Sequence, residues 1–492
     1  MPNLSLSKIL PKNASNFRCS VPSGKTMKKF IALLFTCSIS VSTLPASAQV
    51  NDAFKKKVVE LYPKTDADGD GVLSNAEAAA VTRRILKRFP KVDQDGDGVL
   101  SRKEKQTLLR MAANRAKRTA DQGIPEAASP IAAQDLTESL TAIMNRAVQQ
   151  QQIAGCSFLV VHKGKTIFRK ACGYADIESK RPFTTDELVP IASVSKPFLA
   201  SLLMVLVEQG KLQLDDPVEK YLPEFKGVKV NGSRSPAKPM TVRQLLSHTG
   251  GFWGNKGISR EKLDLIRNFQ RPLAAAVIGI AEYDLVYEPG TKFLYSGSGY
   301  CVAGRVAEVA LGQSLEKIAQ AALFRPLGLN RTTYLPSKEI RKTVPTAYLR
   351  QGEKLQKQPS RAQRELRFIL PGGSLFTTMD EMAVFAQMHL NDGVHNGKRI
   401  LSPSSIAEMR RLQSPDREAR TYGLGWFRDD VSESGLAYLV FHGGAMGAHL
   451  RVDRSRELVC VFLVHQTAVQ VAELKNGLVQ QVDKMLPVPN DR

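Results

Sequence analysis

Short β-rich runs occur at 157–161 and 166–170, and again only near the other end of the chain, at 437–441, 448–452 and 458–464. Helical patterns and loops fill the space between. Strands at both ends with helices between them predict an α+β fold, with an antiparallel sheet assembled from distant segments beside a helical region. His162-Lys-Gly-Lys165 joins the first two runs as a hairpin. An amphipathic helix (Leu140, Ile143, Met144, Ala147) precedes them, and a last helix is expected over 469–485. At 492 residues the chain is long enough for two or three domains.

Within the middle stretch, Ser193-Val-Ser-Lys196 stands before Phe198, Leu199, Leu202, Leu203 and Leu206, spaced like the buried face of a helix ending near Gly210. Residues three apart share a helix face, so Lys196 lies one turn from Ser193. A serine hydroxyl is a weak nucleophile until a neighbouring base takes its proton, and a neutral amine can be that base. The bare pattern S-x-x-K also begins at Ser5, Ser235, Ser259 and Ser314. Only Ser193 has a hydrophobic helix behind it together with suitable partners downstream.

Those partners are two. Tyr295 sits in Glu288-Pro-Gly-Thr-Lys-Phe-Leu-Tyr-Ser-Gly-Ser-Gly-Tyr300, a glycine-rich turn before a helix, where a phenol can accept the Ser193 proton and return it to a leaving group. Phe441-His-Gly-Gly-Ala445 follows one β-run and precedes another, and its glycines let a substrate approach the backbone closely. The amides of Ser193 and Ala445 would then point at a developing oxyanion.

On these residues the region 136–488 resembles the serine β-lactamase and penicillin-binding-protein superfamily, in the branch of class C β-lactamases, D-peptidases and their esterase relatives. Ser193-Val-Ser-Lys196 matches the first motif in full, Tyr295-Ser-Gly297 the second and His442-Gly-Gly444 the third. Leu245-Leu-Ser-His-Thr-Gly-Gly251 and Glu288-Pro-Gly290 match further family stretches. The resemblance implies a β-lactamase-like antiparallel sheet flanked by helices. It also implies Ser193 as acylated nucleophile, Lys196 and Tyr295 sharing the base and acid roles, and His442 lining the pocket to orient substrate. Gly297 stands where these enzymes most often have an asparagine that donates to a substrate amide. Small esters are therefore favoured over β-lactams, with hydrolysis and transfer both open. The alternatives are a D-Ala-D-Ala carboxypeptidase or β-lactamase, and a non-catalytic, calcium-dependent surface-binding protein. No GxSxG elbow occurs in the chain.

Ahead of this region, Asp66-Ala-Asp-Gly-Asp-Gly-Val-Leu-Ser-Asn-Ala-Glu77 recurs as Asp93-Gln-Asp-Gly-Asp-Gly-Val-Leu-Ser-Arg-Lys-Glu104. Each stretch puts oxygen donors at positions 1, 3 and 5, glycine at the sharp turn and glutamate at 12, as a hard divalent cation requires. Both resemble EF-hand calcium loops. That resemblance implies Asp66, Asp68, Asp70, the Val72 carbonyl and Glu77 around one structural Ca²⁺. Asp93, Asp95, Asp97, the Val99 carbonyl and Glu104 would surround a second, with no cofactor needed for catalysis. Pro63 and Pro90 shorten the entering helices. The expected organisation is a signal peptide with an upstream extension over 1–48, an α-helical EF-hand pair over 49–114, a linker over 115–135 and the hydrolase-like domain over 136–488.

Lys28-Lys29, an apolar run over 30–44 and Ala46-Ser-Ala48 read as an export signal, so a periplasmic or secreted location is expected. No later stretch has the length of a membrane span. Residues 1–48 carry six Lys/Arg and no acid, leaving +16 of the net +22 for the remainder. Those charges are scattered without an aromatic-interleaved stripe, which argues against nucleic acid as a partner. A small acyl, ester or cell-wall peptide substrate is expected instead. Cys156 and Cys172 flank the hairpin almost symmetrically and face each other on this reading, as a disulfide or as buried thiols.

Overall fold

The computed structural model describes residues 130–488, apart from 256, 360–365, 367–368, 416–421 and 433. The export signal, both calcium loops (Asp66 to Glu77 and Asp93 to Glu104) and most of the expected linker lie outside the described residues. The chain divides into two units, Met1–Ala127 and Ala128–Arg492, and everything that follows concerns the second.

Its centre is a seven-stranded antiparallel sheet. Strands β1 (Gly155–His162), β2 (Lys165–Asp176) and β3 (Arg181–Pro182) come from the early segment. Strands β4 (Phe427–Val431), β5 (Ala437–Gly443), β6 (His449–Asp453) and β7 (Leu458–Val464) come from the late one. The order is β4-β5-β6-β7-β1-β2-β3, so the expected joining of distant segments occurs between β7 and β1. Cys156 pairs there with Val464 and His162 with Leu458.

All seven residues of β7 are buried, because both faces of the sheet are covered. Side chains alternate across a strand, so one sequence feeds two cores. Leu458, Cys460, Phe462 and Val464 join Phe158 and Val160 beneath two terminal helices, α1 (Pro130–Gln149) and α5 (Ala472–Met485). Val459, Val461 and Leu463 belong to the larger core on the other face, with α2 (Ser195–Glu208), α3 (Gly297–Leu311) and α4 (Met379–Leu390). There α4 lies against β7, β6 and β1, and α2 packs on α4 by stacking Phe198 on Phe385 at 3.7 Å between ring centres.

One local expectation changes and another narrows to one of its alternatives. Helix α1 starts at Pro130, inside the stretch read as linker, since proline is well suited to a first helical turn, where its missing N–H is not needed. Cys156 and Cys172 are indeed directly opposite in the β1–β2 register, with their sulfurs 3.8 Å apart, and both are free thiols. Among the described residues no helix is long and apolar enough to cross a membrane.

Candidate active site

A short strand, Val189–Pro190, pairs with Phe376–Thr377 and delivers the chain to Ser193. Ile191 donates its amide to the Leu375 carbonyl at 3.0 Å. Ala192 then takes a left-handed conformation (φ 47°), a costly choice for a residue with a Cβ. A single 3₁₀ turn, Ala192–Val194, leads into α2. Ser195 holds this turn in place: its buried hydroxyl donates to the Ala192 carbonyl at 2.6 Å and accepts from the Leu375 amide at 3.1 Å. Ser193 therefore sits on an over-determined turn just before the helix, not in its first α-helical turn.

Lys196 is 2% exposed. Its Nζ donates to Ser193 Oγ at 3.3 Å and to the Gly372 carbonyl at 2.8 Å. The same nitrogen lies over the rings of Tyr295 and Tyr300, 4.8 and 5.1 Å from their centres. The hydroxyl of Tyr300 is spent on the Leu246 carbonyl at 2.8 Å, while Tyr295 is half-buried. Amine, alcohol and phenol ring thus come together as the sequence pattern required.

The Tyr295 turn is held by a segment quoted above only as a motif. His248, in a left-handed backbone position (φ 62°), accepts the Ser296 amide on Nδ1 at 3.1 Å, and its ring lies 4.3 Å from that of Tyr295. Ser296 caps α3 by accepting from the Ser298 amide, which starts the helix at Gly297. On the far side Tyr295 stacks on Phe427 at 6.0 Å. Next along, the Gly297 amide donates to Asn255 Oδ1 at 2.8 Å. A Cβ at Gly297 would lie 3.3 Å from that oxygen and 3.4 Å from Ile266 Cδ1, so the Asn255 side chain occupies space beside a residue that has none of its own.

Ala445 reaches the site through Gly444. A Cβ on Gly444 would sit 2.3 Å from the Ile191 carbonyl oxygen, so only glycine lets the end of β5 come this close to the Ser193 turn. Ser193, Lys196, Asn255, Gly297, Gly372 and Ala445 all line one cavity of about 540 Å³. Much of its remaining wall is apolar, including Ile266, Phe269, Leu366, Leu370 and Phe376. Tyr295 is not part of this wall and meets it through Lys196.

His442 does not line the cavity. It is wholly buried, with Nε2 3.2 Å from the Tyr422 hydroxyl and Nδ1 3.0 Å from the Gly443 carbonyl oxygen, 6.2 Å between ring centres from Tyr295. Side chains alternate along β5, and the register that exposes Gly443 turns His442 inward. Burial, and then the Lys196 charge, push the pKa of both His248 and His442 well below the usual imidazole range, so each is held neutral. An alcohol beside an amine and a phenol, facing an apolar cavity, is an arrangement suited to acyl transfer.

Comparison with known proteins agrees. The family model described as Beta-lactamase matches residues 140–484. Penicillin-binding protein 4 of Amycolatopsis lactamdurans is 33% identical over 296 residues, 57% of this chain and 73% of that protein. Esterase EstB of Burkholderia gladioli is 28% identical over 382 residues, 69% of this chain and 92% of that protein. Among solved structures, EstCE1, described as a hydrolase with promiscuous acyltransferase activity, superposes with a TM-score of 0.63 at 24% identity, covering 71% of this chain and 99% of its own. The octameric penicillin-binding protein homologue from Pyrococcus abyssi gives 0.57 at 23%, covering 71% and 79%. Both structural likenesses speak for the fold.

Proposed function

The chain belongs to the β-lactamase family and is a serine hydrolase of it, and from that premise we propose ester hydrolysis through an acyl group carried on Ser193. The observation that carries this reading is Lys196 Nζ, 3.3 Å from Ser193 Oγ at the wall of an apolar cavity. Ser193 Oγ attacks the ester carbonyl carbon while its proton passes to Lys196 Nζ or the Tyr295 phenol. The amides of Ser193 and Ala445 hold the negative oxygen. The carbon–oxygen bond to the alcohol breaks and the leaving oxygen takes up the proton. Water then attacks the acyl carbonyl, releasing the carboxylic acid and restoring the Ser193 hydroxyl. His442 acts from behind, fixing Tyr422.

Turnover of p-nitrophenyl butyrate that disappears in Ser193→Ala supports the assignment; undiminished turnover overturns it. A cell-wall peptidase or β-lactamase role is the second reading, favoured by the 33% identity to a penicillin-binding protein. A stable fluorescent-penicillin adduct on Ser193 would select it over the esterase. A Ser193 that takes up no fluorophosphonate would instead mark a non-catalytic binding protein.

We further propose that the chain is exported, to the periplasm or beyond, and that Asp66 to Glu77 and Asp93 to Glu104 each hold a structural calcium ion. The support is the twice-repeated donor pattern behind a cleavable-looking leader. Calorimetric titration of the full chain should show two sites, both lost in the Glu77→Gln, Glu104→Gln double variant. Silence at millimolar calcium would refute this.

A further inference from the structure

The cavity wall has an uneven distribution of charge. Among the described residues its Lys, Arg, Asp and Glu side chains are Lys196 and Arg267 alone. Lys196 is buried and already engaged by Ser193 Oγ and the Gly372 carbonyl. Arg267 is exposed and has no hydrogen-bond or ion-pair partner among the described residues. It closes the helix Arg260–Arg267. Its neighbours Ile266 and Phe269 line the same cavity, and Ile266 Cδ1 comes within 3.4 Å of where a Gly297 Cβ would stand. The last turn of that helix is therefore fixed against the Tyr295–Gly297 turn, with its terminal cation at the rim. The nearest carboxylate along the helix, Asp264, is taken by Arg271 at 3.0 Å. Arg267 also borders an adjoining open depression of mixed charge, lined by Arg260 and Arg271 together with Glu261, Asp264 and Glu282.

We propose that Arg267 is a specificity residue that receives a carboxylate at the far end of the substrate's acyl chain, a proposal resting on the serine-esterase reading of Ser193. The apolar wall takes the methylenes of such a chain. The guanidinium, without a partner among the described residues, offers a planar fork of donors that matches a carboxylate, whereas a neutral chain end gives it none. Among the described residues of the cavity wall no carboxylate opposes the incoming anion; Glu261, Asp264 and Glu282 lie on the adjoining depression.

The test compares two p-nitrophenyl esters of suberic acid, one with its distal carboxyl free and the other with that carboxyl methylated. The wild-type kcat/KM is expected to favour the free acid by about tenfold, as one charge-assisted hydrogen-bonded pair would give. Arg267→Gln should erase this preference and Arg267→Glu reverse it, and raising the salt concentration should narrow it in the wild type. Equal rates on both esters in the wild type, or a preference that survives Arg267→Gln, would overturn the Arg267 assignment while leaving the esterase intact. If neither ester is turned over, the failure lies with the Ser193 reading itself. Thermal melting of both variants at the wild-type midpoint confirms that selectivity alone has moved.

Discussion

On one face of the central sheet, Phe462 and Cys460 of β7 meet the first and last helices of the domain. On the other, Val459, Val461 and Leu463 of the same strand meet α4 and, through it, the helix that follows Ser193. Both faces are buried, yet the first is closed and its buried charges neutralise one another, whereas the second opens at its edge into the cavity. The difference lies in what interrupts the packing. Beneath α1 and α5 the buried charges pair among themselves, Arg451 with Asp453 at 2.9 Å and with Asp483 of α5 at 2.8 Å. On the opposite side, glycines at 372 and 444, the left-handed residues Ala192 and His248, and the buried amine of Lys196 all crowd into one corner. Local backbone strain is concentrated where chemistry is proposed, and the other face supplies the stability that tolerates it.

Substitutions should separate the two faces. The largest effect is expected for Ser193→Ala: about 10³-fold or more off kcat for a simple ester, with an unchanged melting midpoint. Tyr295→Phe removes a proton carrier but keeps the ring that Lys196 and His248 contact, so a loss of about 10²–10⁴-fold in kcat at wild-type stability is expected. Phe462→Ala should do the reverse. It opens a void between β7 and the terminal helices worth about 3–5 kcal/mol in denaturant titrations, while kcat/KM of the folded fraction stays level. A fall in kcat/KM with Phe462→Ala, or a collapse of stability with Ser193→Ala, would break the comparison.

Acid gives the finest distinction. Burial lowers the pKa of His389 and His449 to about 3 and of His465 to about 4, and holds His248 and His442 well below the usual range. Each is neutral when folded but protonates near pH ~6.5 when unfolded. The unfolded chain therefore binds more protons below that pH, and stability present above it is lost as the pH falls towards about 4. Each buried imidazole contributes up to about 1.4 kcal/mol per pH unit. Melting midpoints measured downward from neutral pH should fall, and His442→Gln should flatten that slope.

The sheet and the nucleophile turn were legible because their signals are local: apolar runs of strand length, and a motif backed by a helical stripe. The start of α1 was not, since Ile131-Ala-Ala133 lacks the apolar periodicity that marks a packed helix. His442 was misplaced because its neighbours, two glycines before a turn, look like a pocket edge, whereas its direction depends on the register of β5 against β6 and on Tyr422, twenty residues upstream. Asn255, Gly372 and Arg267 carry no motif and reach the cavity only through tertiary packing. His248 was visible within Leu245 to Gly251, but its service to the Tyr295 turn was not. The cysteine pair was foreseen from symmetry about the hairpin, and its thiols indeed lie opposite one another.

Gly444 has a consequence for the order in which the molecule comes into being. The segment that walls in Ser193 is made about 250 residues after it, and the strand that anchors it, Leu458–Val464, zips onto one made near the start of the domain. A chain still emerging from the ribosome carries Ser193 through all of that interval without the Gly444 turn, and hence without the Ala445 amide proposed to hold the oxyanion. The proposed catalyst comes into existence only when the late strands fold back onto the early ones.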